Sequence, residues 1–362
     1  LKVLSNNNMK IKFLKAFNGD SIQLSEKKKK KKEKNILIDG GVSQTYKTDK
    51  GPKGKAIFGE LKTTIDNIRE NNLIIDLLII THIDDDHIDG ILKWFNEDKE
   101  AYKLIKEVWF NSGALIAEYL EKKENEALDL YIKKKKEKKT SIKQGIEFGK
   151  YIHDNGIWKR KIITQGSVYK RYGLEFKILS PNKTKLDILL KNWVKKDPKL
   201  KTSKKSNDYK KSIVNHIKDY KFIEDNAYPN GSSIAFILKH KKENFLFLGD
   251  SHPSVIVEGL KIFKYSEKKP IKAKYVKLSH HGSSGNTSPE LLSYIKSNKY
   301  IISTNGATHQ HPHKQLLSSI INSNKNCVFY FNYKERMNMI FSSKDKTNFP
   351  NFKTMSIKEP LK

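Results

Sequence analysis

Residues 81–90 read THIDDDHIDG, follow directly on the apolar run LLII at 77–80, and place two histidines among four aspartates. Imidazole nitrogens and carboxylate oxygens are common ligands of zinc, manganese and iron in proteins. Carboxylates packed this closely repel one another unless a cation lies between them. The segment therefore predicts a metal site with two ion positions, with His82, Asp84, Asp86 and His87 as ligands. The alternative is a solvated acidic turn, which would not require the two histidines.

Similar residues follow two other apolar stretches far along the chain. The segment FLFL at 245–248 runs into Gly249-Asp250, and VKL at 276–278 runs into the histidine pair His280-His281. Short apolar runs of this kind predict buried strands. Ligands of open α/β layers collect beyond the carboxyl ends of their strands. We therefore expect Asp250 and the histidine pair to converge with the 81–90 segment.

Bulk composition restricts the class of protein. The chain has 362 residues, of which 37% are hydrophobic, so it can bury a core for one large domain or two small ones. Its single cysteine, Cys327, excludes a disulfide framework or a cysteine zinc site within the chain. No segment has the length of a transmembrane helix, and no signal-peptide core stands at the beginning. We expect a cytoplasmic protein without a membrane partner.

The charge favours a polyanionic partner. Lysine and arginine total 71 against 40 acidic residues, a net charge of +31 that would suit nucleic acid. Only four of the 71 are arginine, a skew that an AT-rich genome would impose on any surface. The lysine-rich segments 114–154 and 182–226 would then form a groove for a phosphate backbone. The aromatic residues that interleave with lysines, as in grooves where bases stack, are Tyr151, Trp158, Tyr169, Tyr172 and Trp193. The alternative is helices with solvated lysine faces and apolar faces packed on the core.

The order of predicted elements indicates two sheets between helices. Residues 1–8 are expected to lie outside the folded domain, and residues 9–345 to form it. Lysine-rich, largely helical insertions are predicted at about 111–170 and 182–226, and a C-terminal tail at 346–362.

Several motifs in order resemble the metallo-β-lactamase fold superfamily of metallohydrolases, and within it the ComEC-type branch, named for the nuclease domain of a DNA-uptake channel protein. The superfamily signature His-x-His-x-Asp-His is kept here at 82–87, with Asp84 replacing the second histidine as in that branch. The other matching segments are FNGDS at 17–21, ILIDGG at 36–41, NGSS at 230–233, HHGS at 280–283 and HPH at 311–313. The resemblance implies a four-layer αββα sandwich carrying the lysine-rich insertions. Three segments are also similar in sequence to stand-alone metallohydrolases of AVAST-type anti-phage loci: KFLKAFNGDSI at 12–22, THIDDDHIDGILKW at 81–94 and NGSSIAFIL at 230–238.

Roles follow from the resemblance by position. It implies that His82 and Asp84 hold one ion, that Asp86 and His87 hold the other, and that Asp250 bridges the two. The distant ligand is His280, with His281 as the alternative, because neighbours on a strand point to opposite faces. The remaining candidates are Asp86, His281 and His311 as catalytic residues, and Asp20, Asp39, Asn230, Ser233 and His313 as residues that support the ligands or contact substrate. The histidines outside these motifs, His153, His216, His240 and His252, are interpreted as ordinary surface residues.

The expected cofactors are two divalent ions. A carboxylate in place of a histidine favours manganese, with zinc as the alternative. The expected function is a nuclease or other phosphodiesterase that cleaves DNA or RNA with hydroxide generated at the metal centre, in antiviral defence. One alternative is a hydrolase of a small-molecule ester, lactone or lactam, since the fold does not determine the substrate. Another is a subunit of a defence complex whose activity depends on a protein partner.

Overall fold

The structure, a computed structural model, describes residues 9–27, 32–122, 141–193 and 206–361. The predicted extension at 1–8 and the central parts of both predicted insertions lie outside these ranges. Helices and strands of both parallel and antiparallel pairing make up the described chain, so the expected α/β class is confirmed.

The described residues belong to two compact units. The first comprises residues 9–115, 141–162 and 357–361, apart from the gap at 28–31. The second comprises residues 116–122 and 163–356, apart from the gap at 194–205.

A five-stranded mixed sheet organises the first unit, in the order β1-β2-β3-β6-β7. Its first three strands pair antiparallel, and β3, β6 and β7 pair parallel. A small hairpin joins β4 to β5. The strands of this unit are β1 (Met9–Phe13), β2 (Ile22–Glu26), β3 (Lys34–Ile38), β4 (Lys47–Thr48), β5 (Ile57–Phe58), β6 (Ile75–Ile79) and β7 (Val108–Trp109).

Five helices have their first residues in the first unit. They are α1 (Ser43–Tyr46), α2 (Glu60–Glu70), α3 (Asp85–Glu97), α4 (Gly113–Tyr119) and α5 (Ser141–Asp154), and short 3-10 helices lie at Pro52–Gly54 and Ala101–Leu104. All five residues of β6 are buried, as expected for a parallel strand covered on both faces. Thr81 and His82 follow directly after the end of β6, and α3 begins at Asp85.

Two glycines allow α3 to approach the loop after β3 closely. The amide of Gly40 donates to the carbonyl of His87 at 2.6 Å, and the amide of Gly90 donates to that of Gly41 at 2.8 Å. A Cβ on Gly90 would lie 2.1 Å from the carbonyl oxygen of Gly40, so no larger residue fits without displacing backbone. A Cβ on Gly40 would lie 2.7 Å from the backbone nitrogen of Ile91, so Gly40 and Gly90 both serve this one close backbone contact.

The second unit is organised by an eight-stranded sheet in the order β17-β16-β15-β13-β11-β10-β9-β8. Strands β8 to β11 pair antiparallel, and β11, β13, β15, β16 and β17 pair parallel. A separate pair joins β12 to β14. The strands are β8 (Val168–Arg171), β9 (Leu174–Ser180), β10 (Ala235–His240), β11 (Glu243–Phe247), β12 (Ile271–Lys272), β13 (Tyr275–Lys277), β14 (Ile295–Lys296), β15 (Lys299–Ile302), β16 (Val328–Phe331) and β17 (Lys353–Ser356).

Helices of the second unit pack apolar side chains against this sheet. They are α6 (Lys183–Trp193), α7 (Ile213–Lys218), α8 (Tyr228–Gly231), α9 (Pro253–Ile262), α10 (Pro289–Ser293), α11 (Lys314–Ser323), α12 (Lys334–Ile340) and α13 (Ser343–Asn348), with a 3-10 turn at Ser279–Gly282. The core includes Leu246, Ile256, Ile302, Leu317 and Phe329, all at most 1% exposed.

The segment predicted as a tail contributes to both units. Residues 353–356 form the edge strand β17 and pair in parallel with β16. Farther on, Leu361 exchanges two backbone hydrogen bonds of 2.8 Å with Ile11 of β1. None of the helices within the described ranges is long and apolar enough to span a bilayer.

Candidate metal centre

His87 of the first unit is held in one orientation by a buried carboxylate. A carboxylate oxygen of Asp39 lies 2.8 Å from Nδ1 of His87. The same side chain accepts hydrogen bonds of 2.7 Å from the backbone amide and from the hydroxyl of Thr81. Burial raises the pKa of Asp39, while its bonds to His87 and Thr81 oppose the rise. With Nδ1 donating to Asp39, the Nε2 atom of His87 carries the lone pair that a metal ion requires.

The other motif residues lie around the two histidine rings. The ring centres of His82 and His87 are 4.1 Å apart. Nε2 of His82 is 3.7 Å from an oxygen of Asp84, and Nε2 of His87 is 3.8 Å from an oxygen of Asp86. The second oxygen of Asp84 accepts a hydrogen bond of 2.7 Å from the hydroxyl of Ser141. The geometry thus brings together the same histidine–carboxylate pairs that the motif implies.

The FNGDS segment brings Asp20 to this group. The amide of Asp20 donates to the carbonyl of Asp86 at 3.1 Å. A Cβ on Gly19 would lie 1.8 Å from that carbonyl oxygen, so this approach also needs glycine. An oxygen of Asp20 lies within 4.8 Å of a ring nitrogen of His87, and the Asp20 side chain is buried. Asp20 therefore stands within the ligand-type group, whereas Asp39 lies behind His87.

The histidine pair of the second unit lies in a turn, and the expectation that it belongs to a strand is wrong. Strand β13 ends at Lys277, and Ser279–Gly282 form a 3-10 turn. The φ angles of His280 and His281 are 45° and 53°, which is uncommon for non-glycine residues and frequent at functional sites. As a result both rings face one carboxylate. Their Nε2 atoms lie 3.7 and 3.8 Å from the same oxygen of Asp250.

The two rings of this pair differ in what holds their other nitrogen. Nδ1 of His281 lies 2.9 Å from the backbone carbonyl of Ser303, and the ring is buried. Nδ1 of His280 lies 3.0 Å from the side-chain oxygen of Asn286, and the side chain is 21% exposed. Burial lowers the pKa of His280, but the charge of Asp250 and the interaction with Asp225 together outweigh it, and the net shift is upward.

Asp225 is a site residue that the sequence analysis missed. It accepts hydrogen bonds from the amide of Ala227 at 2.9 Å, from Asn230 at 2.7 Å and from Asn286 at 2.9 Å. The same carboxylate lies 3.6 Å from Nδ1 of His280. Burial raises the pKa of Asp225, but the interaction with His280 and these donors give a net lowering. Apart from its position between two lysine-rich stretches, no motif distinguishes it in the sequence.

The NGSS segment supports this group from behind. Asn230 lies beside His280, with 3.4 Å between its amide nitrogen and Nδ1 of the ring. The hydroxyl of Ser233 accepts a hydrogen bond of 3.1 Å from the amide of Asp250, and Asn286 donates to the carbonyl of Asp250 at 3.0 Å. These contacts fix the backbone that presents the Asp250 carboxylate.

The HPH segment adds further imidazoles next to the pair. The ring of His311 is centred 4.9 Å from that of His280 and 4.7 Å from that of His313. His311 is buried, and its Nδ1 has no hydrogen-bond partner among the residues that the structure describes. Burial lowers its pKa well below the ordinary value. The ring of His309 is centred 5.8 Å from that of His311, and Nδ1 of His313 accepts a hydrogen bond of 3.0 Å from the amide of Ser284.

Several residues interpreted as exposed are buried. His216, His240 and His252 are at most 5% exposed, so the expectation that they lie on the surface is wrong; His153 is exposed as expected. The aromatic residues proposed for base stacking are also largely internal. Trp158, Tyr169 and Trp193 are at most 9% exposed, Tyr172 is partly buried, and Tyr151 stacks on Phe95 with 4.0 Å between ring centres.

Each unit thus presents buried groups that can bind a metal ion: Asp20 and His87 in the first, and Asp250 and His281 in the second. The donor types fit a divalent cation, since imidazole nitrogens alternate with carboxylate oxygens. Comparison with known proteins adds no assignment, because no protein-family model and no curated protein matches the chain.

Proposed function

We propose that the chain is a divalent-metal-dependent hydrolase with the four-layer metallo-β-lactamase fold, and that it cleaves phosphodiester bonds of DNA or RNA. One repeated geometry carries the proposal. In four histidines of the matched motifs, Nδ1 faces a neighbouring side chain or carbonyl while Nε2 lies 3.7–3.8 Å from a carboxylate oxygen: His82, His87, His280 and His281. Outside these motifs His252 has a similar arrangement, with Nδ1 2.9 Å from Nζ of Lys185 and Nε2 3.8 Å from an oxygen of Asp225.

That distance discriminates between two explanations of the pairs. An N–H···O hydrogen bond has its heavy atoms 2.7–3.2 Å apart, so direct bonds do not account for the spacing. Two ligands that each lie about 2.1 Å from a common ion are roughly 3–4 Å apart. The four pairs therefore have the spacing of ligands that share a cation, and they have it in both units.

In this reaction the protein's own residues would hold the metal ions, fix the tautomers of the ligating histidines and assist proton transfer. Divalent ions bound at these ligands would supply Lewis acidity and would lower the pKa of bound water to roughly 7, so that hydroxide would be available at neutral pH. Asp39 and the Ser303 carbonyl hold the tautomers of His87 and His281. His311, with its buried Nδ1, can exchange a proton or a hydrogen bond with a phosphate or leaving oxygen.

The details of ligation extend the proposal. Asp84 in place of a histidine makes the first unit's group richer in carboxylate, which favours manganese over zinc. We assign the stronger ligand of the pair to His281, because a backbone carbonyl holds its Nδ1 and the ring is buried, with His280 as a weaker ligand of the same ion. Replacing each by glutamine and measuring ion content and affinity tests this assignment. His281→Gln should lose an ion, whereas His280→Gln should keep the full number of ions with a lower affinity.

The case for a nucleic acid substrate rests on charge and on the family resemblance. A net charge of +31 favours a polyanion, and phosphodiester cleavage is the chemistry of the ComEC-type branch. Base stacking by the interleaved aromatic residues does not support this substrate, since Trp158, Tyr169 and Trp193 are buried.

The experiment combines elemental analysis with a nuclease panel. Purified protein should contain two divalent ions per chain and should cleave single-stranded DNA, double-stranded DNA or RNA when manganese is supplied. Asp86→Asn should abolish cleavage. The neighbouring, exposed Asp85→Asn serves as a matched control, because it removes the same charge from the same turn of α3 and should leave cleavage intact.

Three results would redirect the proposal. Bound metal with hydrolysis of ester or lactam probes, and no salt-sensitive binding to nucleic acid, would indicate a small-molecule hydrolase. Cleavage that appears only after addition of a second protein would indicate a partner-gated subunit. Protein without bound metal and without activity under any divalent ion would contradict the metal site itself.

A further inference from the structure

The loop that carries His311 is held by side chains from distant parts of the chain. The carbonyls of three consecutive residues, 310 to 312, each accept a hydrogen bond from outside the loop. The hydroxyl of Tyr209 reaches those of Gln310 at 3.2 Å and Pro312 at 2.9 Å. Nε of Arg336, on α12, donates to the carbonyl of His311 at 2.7 Å. The backbone on both sides of the His311 ring is thereby fixed.

The two donors also support each other. The guanidinium of Arg336 lies over the ring of Tyr209, with its central carbon 4.9 Å from the ring centre. Arg336 is 4% exposed, so its charge is nearly withdrawn from water. Gly306 leaves room for it, since a Cβ at that position would lie 2.2 Å from the guanidinium. Gly306, Arg336 and Tyr209 form a packed unit behind the loop, which we name the loop clamp.

The choice of arginine is informative in this chain. Of 71 basic residues only four are arginine, so a lysine would be the ordinary choice at any position that needs only a charge. Lysine cannot reproduce this contact, because its ammonium has no Nε–H fork and no flat face to stack on an aromatic ring. The position therefore uses the shape of the guanidinium.

We propose that Arg336 and Tyr209 are positioning residues that set the place of the His311 ring beside His280. The clamp contacts the backbone of the loop and the side-chain oxygen of Gln310, which lies 3.4 and 3.5 Å from the two terminal nitrogens of Arg336. Among the described residues it makes no hydrogen bond to the nitrogens of the His311 ring, so it acts through the loop that carries His311. The proposal rests on the proposed hydrolase only for its effect on rate. Its effect on the loop can be measured without any activity.

Two conservative variants remove the clamp without removing its bulk. Arg336→Lys should raise the exchange rates of the Gln310 and His313 amides, whose bonds to Gly306 and Gly282 close the loop, by about tenfold. Tyr209→Phe should give a smaller increase at the same two amides. On a manganese-dependent phosphodiester probe such as bis(p-nitrophenyl) phosphate, Arg336→Lys should lower kcat about 10- to 100-fold with little change in KM.

Chemical rescue separates positioning from general damage. Arg336→Ala leaves a space of guanidinium shape between Gly306 and Tyr209. Added guanidinium or methylguanidinium ions at millimolar concentration should restore several-fold of the lost kcat in Arg336→Ala. They should restore none in Arg336→Lys, where the lysine chain occupies the space.

Matched controls come from the same unit. Tyr300→Phe removes another hydroxyl that donates to a backbone carbonyl, that of Ser297, away from the loop. Arg171→Lys makes the same exchange on β8. Both should leave the two amides and kcat unchanged.

The outcomes distinguish this proposal from the proposed function. An inactive wild-type chain would count against the hydrolase, and the amide exchange rates would still decide the clamp. Unchanged exchange at Gln310 and His313 in both clamp variants would overturn the clamp, as would an equal loss of kcat in Arg171→Lys.

Discussion

Asp39→Asn is the sharpest test of the first unit's metal group, because it alters one oxygen of the carboxylate that holds His87. Asparagine is nearly the same size as aspartate, and it tolerates the left-handed backbone that Asp39 adopts at φ 57°. Its single oxygen can still accept the Thr81 amide. Its NH₂ group, however, must then face Nδ1 of His87, which lies 2.8 Å from the carboxylate.

The magnitude follows from this contact. An amide donor facing Nδ1 favours the tautomer with the proton on Nε2, which cannot bind a metal ion. Loss of a carboxylate partner behind a ligating histidine typically weakens metal binding by about 10- to 100-fold. At about 1.4 kcal/mol for each factor of ten, that is roughly 1.4–2.7 kcal/mol. We expect the manganese affinity of Asp39→Asn to fall by this factor.

The assay is a titration of metal-stripped protein with manganese, followed by calorimetry or by competition with a fluorescent chelator. Asp76→Asn is the matched control. Asp76 is a buried aspartate of the same sheet that accepts bonds from Lys34 at 2.8 Å and from the amide of Asn35 at 3.1 Å. Both variants should lose comparable folding stability, and only Asp39→Asn should lose metal affinity. Equal affinities in the two variants would refute the role assigned to Asp39.

Three further predictions concern stability. Gly90→Ala should destabilise the fold by about 1–3 kcal/mol in urea titrations, because the added methyl would lie 2.1 Å from the Gly40 carbonyl oxygen. Gly149→Ala is the control: its added methyl would have no neighbour nearer than 3.6 Å, so this variant should be neutral or slightly stabilised. Asp345→Asn should cost about 3–5 kcal/mol at pH 7, because it breaks a buried ion pair of 2.6 Å with Lys314. Burial raises the pKa of Asp345, but the bond to Lys314 and the other donors give a net lowering. The ion pair therefore stabilises the fold above the ordinary pKa of aspartate, and this stabilisation is lost as the pH falls through the lowered pKa. The difference in unfolding free energy between Asp345→Asn and wild type should decrease over that pH range. Removal of metal by a chelator should lower Tm, and manganese at about 100 times its Kd should restore roughly 2.7 kcal/mol of stability; a Tm indifferent to both would argue against bound metal.

The strand before His82 and the grouping of the 82–87 side chains could be predicted from the sequence. The apolar run at 77–80 predicted a buried strand that ends just before His82, and β6 is that strand. The family resemblance implied which carboxylate lies beside which histidine, and the distances agree with it. That the ligands of the two units converge, and that they bind metal, stays a prediction.

Other features depend on contacts that the sequence does not display. Asp225 lies in a polar stretch, and only folding brings it to 3.6 Å from His280. The edge strand β17 has exposed and half-buried side chains, so it lacks the apolar signal of a strand. His280 and His281 look like a strand continuation because the left-handed backbone that turns both rings to one side leaves no trace in residue type.

The pairing of Ile11 with Leu361 has a consequence for how the protein is made. The chain leaves the first unit after residue 162 and returns to it only at residue 357. A ribosome adds about 5–20 residues per second, so this return comes roughly 10–40 s after the rest of the first unit has been synthesised. During that interval Ile11 of β1 lacks its pairing with Leu361, while residues 163–356, nearly all of the second unit, are synthesised as one continuous stretch. We therefore expect the first unit, although it begins earlier in the sequence, to lack its last strand partner until the second unit has been synthesised.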